Sequence, residues 1–247
     1  MDAREIGLVL YTVRDRAEKD FAGTLREVAA IGYRCGELCG TFGMGAAALK
    51  ELGEEISLSF PSAHVGLPDL TGKFDDAAAY YGEVGVKALV IAALPGDRTE
   101  SIEAWRGAAR ELSDVGARLK ERGIALLYHN HAAELEPMGG TSGWDILVAE
   151  ADPESLGFEV DVYWAAYGRR DPMAMLRAVA GRVPYVHAKD MAPDREMTEV
   201  GRGTLDFPAF VAAKQELGVE CFFVEHDEPA PPTIESARVS FEYLHGL

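Results

Sequence analysis

The chain has 247 residues, 48% of them hydrophobic, and 24 basic against 41 acidic side chains give a formal net charge of −17 at pH 7. That apolar share fills a sizeable core and excludes disorder as the main reading. So acidic a surface repels a phosphate backbone, and no basic run builds a local cleft, so nucleic acid is excluded as a partner.

The three cysteines, Cys35, Cys39 and Cys221, cannot all pair, and reduced, buried thiols are expected. The opening MDAREIGLVLYTVRD has no cleavable-signal pattern, and no apolar run reaches membrane-spanning length. The expectation is a soluble, cytoplasmic protein with no membrane partner.

Short apolar runs at 6–10, 33–38, 57–63, 88–93, 125–128, 157–160, 184–186 and 221–224 read as strands. Helical periodicity lies between them near 17–31, 44–54, 73–84, 100–122, 142–150, 172–179, 207–217 and 232–244. Gly32, Gly85, Gly123 and Gly218 each follow a helix and precede a strand, where a left-handed cap suits glycine. Thr141 or Ser142, Asp171 before Pro172, and Asp206 before Phe207 are the expected N-caps. Strict alternation over this length predicts an α/β fold, a (β/α)8 TIM barrel, in a single domain spanning 1–247. A doubly wound sheet would carry a glycine-rich nucleotide loop after an early strand, and LYTVRD is not one. The Gly-rich segment 40–45 lacks the Lys and Ser/Thr of a phosphate cradle and is expected to be a loop over the barrel mouth.

Barrel chemistry gathers at the C-terminal strand ends, and residues two apart on a strand share a face. Four late strands end in ionisable pairs at that spacing: His129 and His131, Glu159 and Asp161, His187 and Lys189, Glu225 and Asp227. Earlier strands add Glu37 and His64. Several carboxylates buried together need compensating cations, and a divalent metal supplies them. Asp161, His187 and Glu225 offer two oxygens and a nitrogen, with room for a fourth protein ligand and a substrate.

YHNHAAEL over 128–135 joins LYTVRD, SAHVGL, TSGWDIL, DVYWAAYGRRDP, GRVPYVHAKD, EVGRGTLDF and VEHD in an ordered series. With these fragments the chain resembles the sugar phosphate isomerase/epimerase family, the xylose-isomerase-like barrels related to apurinic endonucleases, and within it a YHNHxxEF subgroup. The resemblance implies a metal-dependent TIM barrel with an acid–acid–histidine–acid ligand set for Mn, Mg, Co or Zn. Asp161, His187 and Glu225 match its last three members. Strand five departs from the pattern: relatives end it in Glu-Asn-His, whereas this chain has His129-Asn130-His131 and places its glutamate at 134. Glu134 is the expected fourth ligand, with His129 as the alternative and otherwise a substrate contact.

Lys189 is expected beside a developing enolate oxygen, unless a salt bridge to Glu159, Asp161 or Asp190 merely orients a ligand. Trp164 is expected to form a wall for a sugar face, and Asp227 and Glu37 are expected as further substrate contacts. The expected activity is a sugar isomerase or epimerase that moves a proton through an enediolate on a ketose, aldose or polyol derivative, with Glu134 and Glu225 as proton-transfer groups. The alternative is a lyase acting on a keto-inositol or 3-keto-sugar, for which His64, His129 and His131 supply acids for the leaving group. The expected partner is a small sugar or polyol, and the chain is expected as a monomer or homodimer.

Overall fold

The computed structural model describes residues 1–247. Eight parallel strands close a barrel: β1 (Ile6–Val9), β2 (Cys35–Leu38), β3 (Ser59–His64), β4 (Ala88–Ile91), β5 (Ala125–His129), β6 (Leu156–Asp161), β7 (Tyr185–Ala188) and β8 (Cys221–Val224). Each pairs with its sequence neighbours, and β8 returns to β1 with Ile6 opposite Phe222. This is the (β/α)8 barrel the alternation predicts. All eight strands lie where the apolar runs place them, and the major helices follow the same order.

Helix boundaries follow the local chemistry. Ser142, Asp171 and Asp206 each accept a first-turn N–H, and Gly85 and Gly218 close their helices in the left-handed region. The first long helix begins at Phe21 rather than near residue 17, because Asp20 caps it and Arg14–Ala17 forms a separate turn. Short helices Leu67–Gly72 and Val162–Tyr167, and a hairpin pairing Asp190–Met191 with Met197–Thr198, have no counterpart in the hydrophobic pattern. No helix is long and apolar enough to cross a membrane.

Apolar packing divides in two. A 58-residue cluster fills the space between strands and helices. A separate set of eight, among them Val9, Cys35, Val90, Leu127, Tyr185 and Phe223, plugs the barrel interior. Gly7 makes room for that plug, since a Cβ there would lie 2.3 Å from the Phe223 ring. Two residues on from Cys35, Leu127, Tyr185 and Phe223 stand Glu37, His129, His187 and Glu225, and β3 and β6 add His64, Glu159 and Asp161. The apolar plug is therefore the floor of a polar chamber.

Helix Ile102–Lys120 supplies a packing test. At Gly116 a Cβ would sit 2.0 Å from the Ser155 carbonyl oxygen, whereas at Gly107 it would meet nothing within 4 Å. Gly116→Ala is expected to lower stability by about 1–3 kcal/mol through overpacking. Gly107→Ala should raise it by up to about 1 kcal/mol through helix propensity. Urea denaturation midpoints of the two variants check the contrast.

Candidate active site

His187 stands at the centre of the chamber, fully buried on β7, with a carboxylate at each ring nitrogen. Its Nδ1 is 2.8 Å from Glu225 Oε2. Its Nε2 is 2.8 Å from Glu37 Oε1 and 2.9 Å from Glu159 Oε2. Two groups of side chains therefore share this one imidazole.

The group on the Nε2 side is rich in nitrogen. His64 Nε2 lies 2.8 Å from Glu37 and 3.2 Å from Glu159, and His129 Nδ1 lies 3.4 Å from Glu159. The rings of His64 and His187 are stacked, 5.4 Å apart. On the Nδ1 side, Asp161 and Glu225 flank the Lys189 ammonium at 3.1 and 2.7 Å, and Asp227 lies 2.8 Å from it.

Backbone chemistry positions these groups. Asn130 exchanges side-chain hydrogen bonds with the backbone of Asp161, extending the pairing of β5 and β6 beyond the strands. Asp161 Oδ1 caps the helix Val162–Tyr167 by accepting the N–H of Trp164, which turns Tyr163 and Trp164 to the mouth. Asp190 faces away from Lys189. Its carboxylate accepts four backbone N–H groups, from Met191, Gly201, Gly203 and Leu205, and ties down the loop after β7.

Glu134 is the expected ligand that the structure does not bring to the cluster. A single 3-10 turn over Ala133–Leu135 folds it back, so that it accepts the Tyr128 hydroxyl at 3.0 Å and the His131 N–H at 2.9 Å. It lines a neighbouring pocket with Trp105 and Pro137. Glu37, expected to touch substrate, is instead fully buried under His64 and His187. The other expected residues converge: His64, His129, His131, Lys189, Glu225 and Asp227 line one cavity of about 270 Å³ with Tyr11 and Cys39. Trp164 walls the adjoining pocket, which shares Asp227. Glu159 is the residue that sequence reasoning left without a ligand role, although the same two-residue spacing that marks Asp161 marks it.

Electrostatics make the chamber receptive to a cation. Of the five carboxylates Glu37, Glu159, Asp161, Glu225 and Asp227, the last three pair with the Lys189 ammonium, and Glu37 Oε2, Glu159 Oε1 and His129 Nδ1 are buried without a hydrogen-bond partner. Burial opposes charge on His187, yet Glu159, Glu37 and Glu225 hold its pKa well above the ordinary value. His64 reaches about 10 by the same balance, with burial outweighed by Glu37 and Glu159. Burial lifts Asp161 to about 6 against the pull of Lys189. Glu225 resists burial and stays well below the usual carboxylate range because Lys189 and His187 lie beside it. Burial, then the positive neighbours, keep His129 and His131 in the neutral form. Orphaned acceptors around an imidazole suit a divalent ion, so the residues fit a buried His/Glu/Asp metal site.

The profile of the xylose isomerase-like TIM barrel matches residues 25–244. An inosose dehydratase of Geobacillus kaustophilus is 25% identical, with 90% of this chain and 86% of that protein covered. An inosose dehydratase of Clostridium perfringens is 24% identical over 77% of this chain and 70% of its own length. Among solved structures, a sugar phosphate isomerase/epimerase of Parabacteroides distasonis superposes with a TM-score of 0.86 at 22% identity, covering 99% of this chain and 94% of that one.

Protons on His187 and His64 neutralise the carboxylates in the metal-free protein, and a metal must displace any proton on the nitrogen it takes. Metal binding at pH 7 is therefore expected to release at least one proton per ion and to tighten as pH rises. Calorimetric titration in two buffers of different ionisation enthalpy measures the release. A buffer-independent heat would contradict it.

Proposed function

This chain belongs to the xylose isomerase-like TIM barrel family, and we propose that within it the chain is a divalent-metal-dependent lyase that removes water from a keto-polyol of the inosose class. The observation carrying this reading is one small cavity that joins a buried carboxylate–histidine cluster to a half-buried, neutral His131 and the Lys189 ammonium. The curated relatives that act as inosose dehydratases support it over an isomerase or epimerase.

His187 and the side chains gathered at one of its nitrogens would hold the ion. When bound, it would polarise the substrate carbonyl and acidify the adjacent C–H. His131 is free to accept that proton, being uncharged and open to the cavity. Lys189, held by Asp161, Glu225 and Asp227 at the wall of the cavity, would lend its positive charge to the developing enolate oxygen. Trp164, 5.5 Å from His131 and 5.8 Å from the Lys189 nitrogen, gives the ring carbons an apolar face. His131 then returns its proton to the departing β-hydroxyl, the C–O bond breaks as the C=C bond forms, and water leaves.

Isomerisation shares the first proton transfer but returns the proton to carbon. The sequence-based proton carriers for that route were Glu134 and Glu225. Glu134 is turned to another pocket, and Glu225 is committed to Lys189 and His187. His131, by contrast, lines the cavity with no side-chain partner, which supports its role beside a leaving hydroxyl.

Metal-loaded protein incubated with a panel of keto-inositols should produce enone absorbance in proportion to substrate consumed. His131→Ala should keep its metal and lose at least about 100-fold in turnover. Substrate consumption without an unsaturated product, or ketose interconversion with solvent deuterium at carbon, would overturn the lyase reading in favour of an isomerase.

A further inference from the structure

A ring that reacts in the chamber leaves part of the barrel mouth unused. The cavity lined by His131, Lys189 and Glu225 holds about 270 Å³, whereas the pocket that joins it at Asp227 holds about 430 Å³. Resting on the reading of an enzyme that acts on a keto-polyol, we propose that this outer pocket is a subsite for a second sugar ring. The substrate is then a two-ring glycoside whose keto-polyol ring enters the chamber.

Size separates the two spaces. Pockets that bury a drug-sized ligand measure about 300–1,000 Å³. The chamber lies just below that range and suits one six-membered ring with its hydroxyls, while the outer pocket lies within it.

One aromatic wall runs through both. The helix Val162–Tyr167, capped by Asp161, carries Tyr163, Trp164 and Tyr167. Trp164 lies 5.5 Å from His131 at the chamber end. Tyr167 meets Trp164 edge-on at 5.3 Å and stacks on Tyr163 at 5.7 Å, which carries the wall outward. The Tyr163 hydroxyl donates to the Arg195 carbonyl at 3.1 Å and pins the wall to the hairpin after β7. Tyr167 is 41% exposed, and it lines the outer pocket but not the chamber. A one-ring substrate gives that exposed face no partner. The C–H face of a second sugar ring would cover it, as an aromatic side chain with an apolar body and a polar tip requires.

The remaining lining has the chemistry that reads hydroxyls. Glu196 and Glu228 are tied to their neighbours through the backbone alone, so both carboxylates are free to accept. Asp227 gives Oδ1 to Lys189 and keeps Oδ2. His226 Nδ1 accepts the Glu228 N–H at 3.3 Å, so the neutral ring carries its proton on Nε2 and offers a donor. Sugar hydroxyls both donate and accept, and this lining answers both. A phosphate group would meet three carboxylates and no cation, because no lysine or arginine lines the pocket and Arg195 is laid over the Tyr167 ring, 4.8 Å from its centre. A wholly apolar group would strand four ionisable side chains without partners.

Calorimetric titration of the full chain with sugars that lack a carbonyl tests the subsite apart from turnover. myo-Inositol is compared with galactinol, its α-galactosyl derivative, and methyl β-glucoside with methyl β-cellobioside. In at least one pair the two-ring sugar should bind about 10-fold more tightly or better. Tyr167→Ala and Glu196→Gln should each remove most of that preference and leave one-ring affinity unchanged. Tyr167 is exposed and Glu196 half-buried, so both variants should keep the fold, which matching circular dichroism melts verify. Equal affinity within both pairs, or a preference that survives in both variants, would overturn the proposal. No measurable binding of either two-ring sugar would overturn it as well. So would tighter binding of methyl β-glucosaminide than of the two-ring sugars, which would make the carboxylates an ammonium site. A two-ring preference in a chain that yields no unsaturated product from keto-inositols would uphold the subsite and contradict the lyase reading alone.

Discussion

Everything at the mouth of this barrel depends on one buried imidazole that has carboxylates at both nitrogens. Burying Glu37, Glu159, Asp161 and Glu225 together is unfavourable unless their charge is met, because burial takes carboxylates out of water. His187 answers both sides at once, and Lys189 answers one of them permanently. The remaining carboxylate charge depends on something exchangeable, either protons or a metal ion. That dependence links the protonation of the site to its cofactor and the cofactor to the chemistry.

The barrel makes this possible through register rather than through any single motif. Parallel pairing places Glu159 opposite Tyr185 and Asp161 opposite His187, so one strand contributes carboxylates at two depths. His129 pairs with Glu159 on the other side. Beneath them Phe223 and Tyr185 fill the interior and stop the chamber at a fixed depth. A slip of one residue would turn each of these side chains to the helix layer. The plug therefore positions the chemistry as well as stabilising the fold.

Strand and helix placement was legible because both depend on local periodicity and capping, as at Asp171–Pro172 and Gly218. The convergence of Asp161, His187 and Glu225 was legible for a related reason: a two-residue period on successive parallel strands points them inward. The position of Glu134 is not legible in the sequence, because its distance from His131 says nothing about direction. One 3-10 turn reverses the chain, and the carboxylate is spent on the His131 N–H and the Tyr128 hydroxyl. Glu159 carried the right spacing but sits one step deeper than the strand end, so only the three-dimensional stagger of the strands reveals that it meets three histidines. The knot around Asp190 has no linear signature, since its four N–H donors come from residues spread over 191–205.

The central claim is that the buried carboxylate–histidine cluster around His187 holds a divalent ion, and anomalous diffraction from crystals loaded with zinc measures that most directly. The account predicts a single anomalous peak bonded to His187 and to carboxylates of the cluster. Zinc-loaded crystals with no peak within bonding distance of His187 would contradict it.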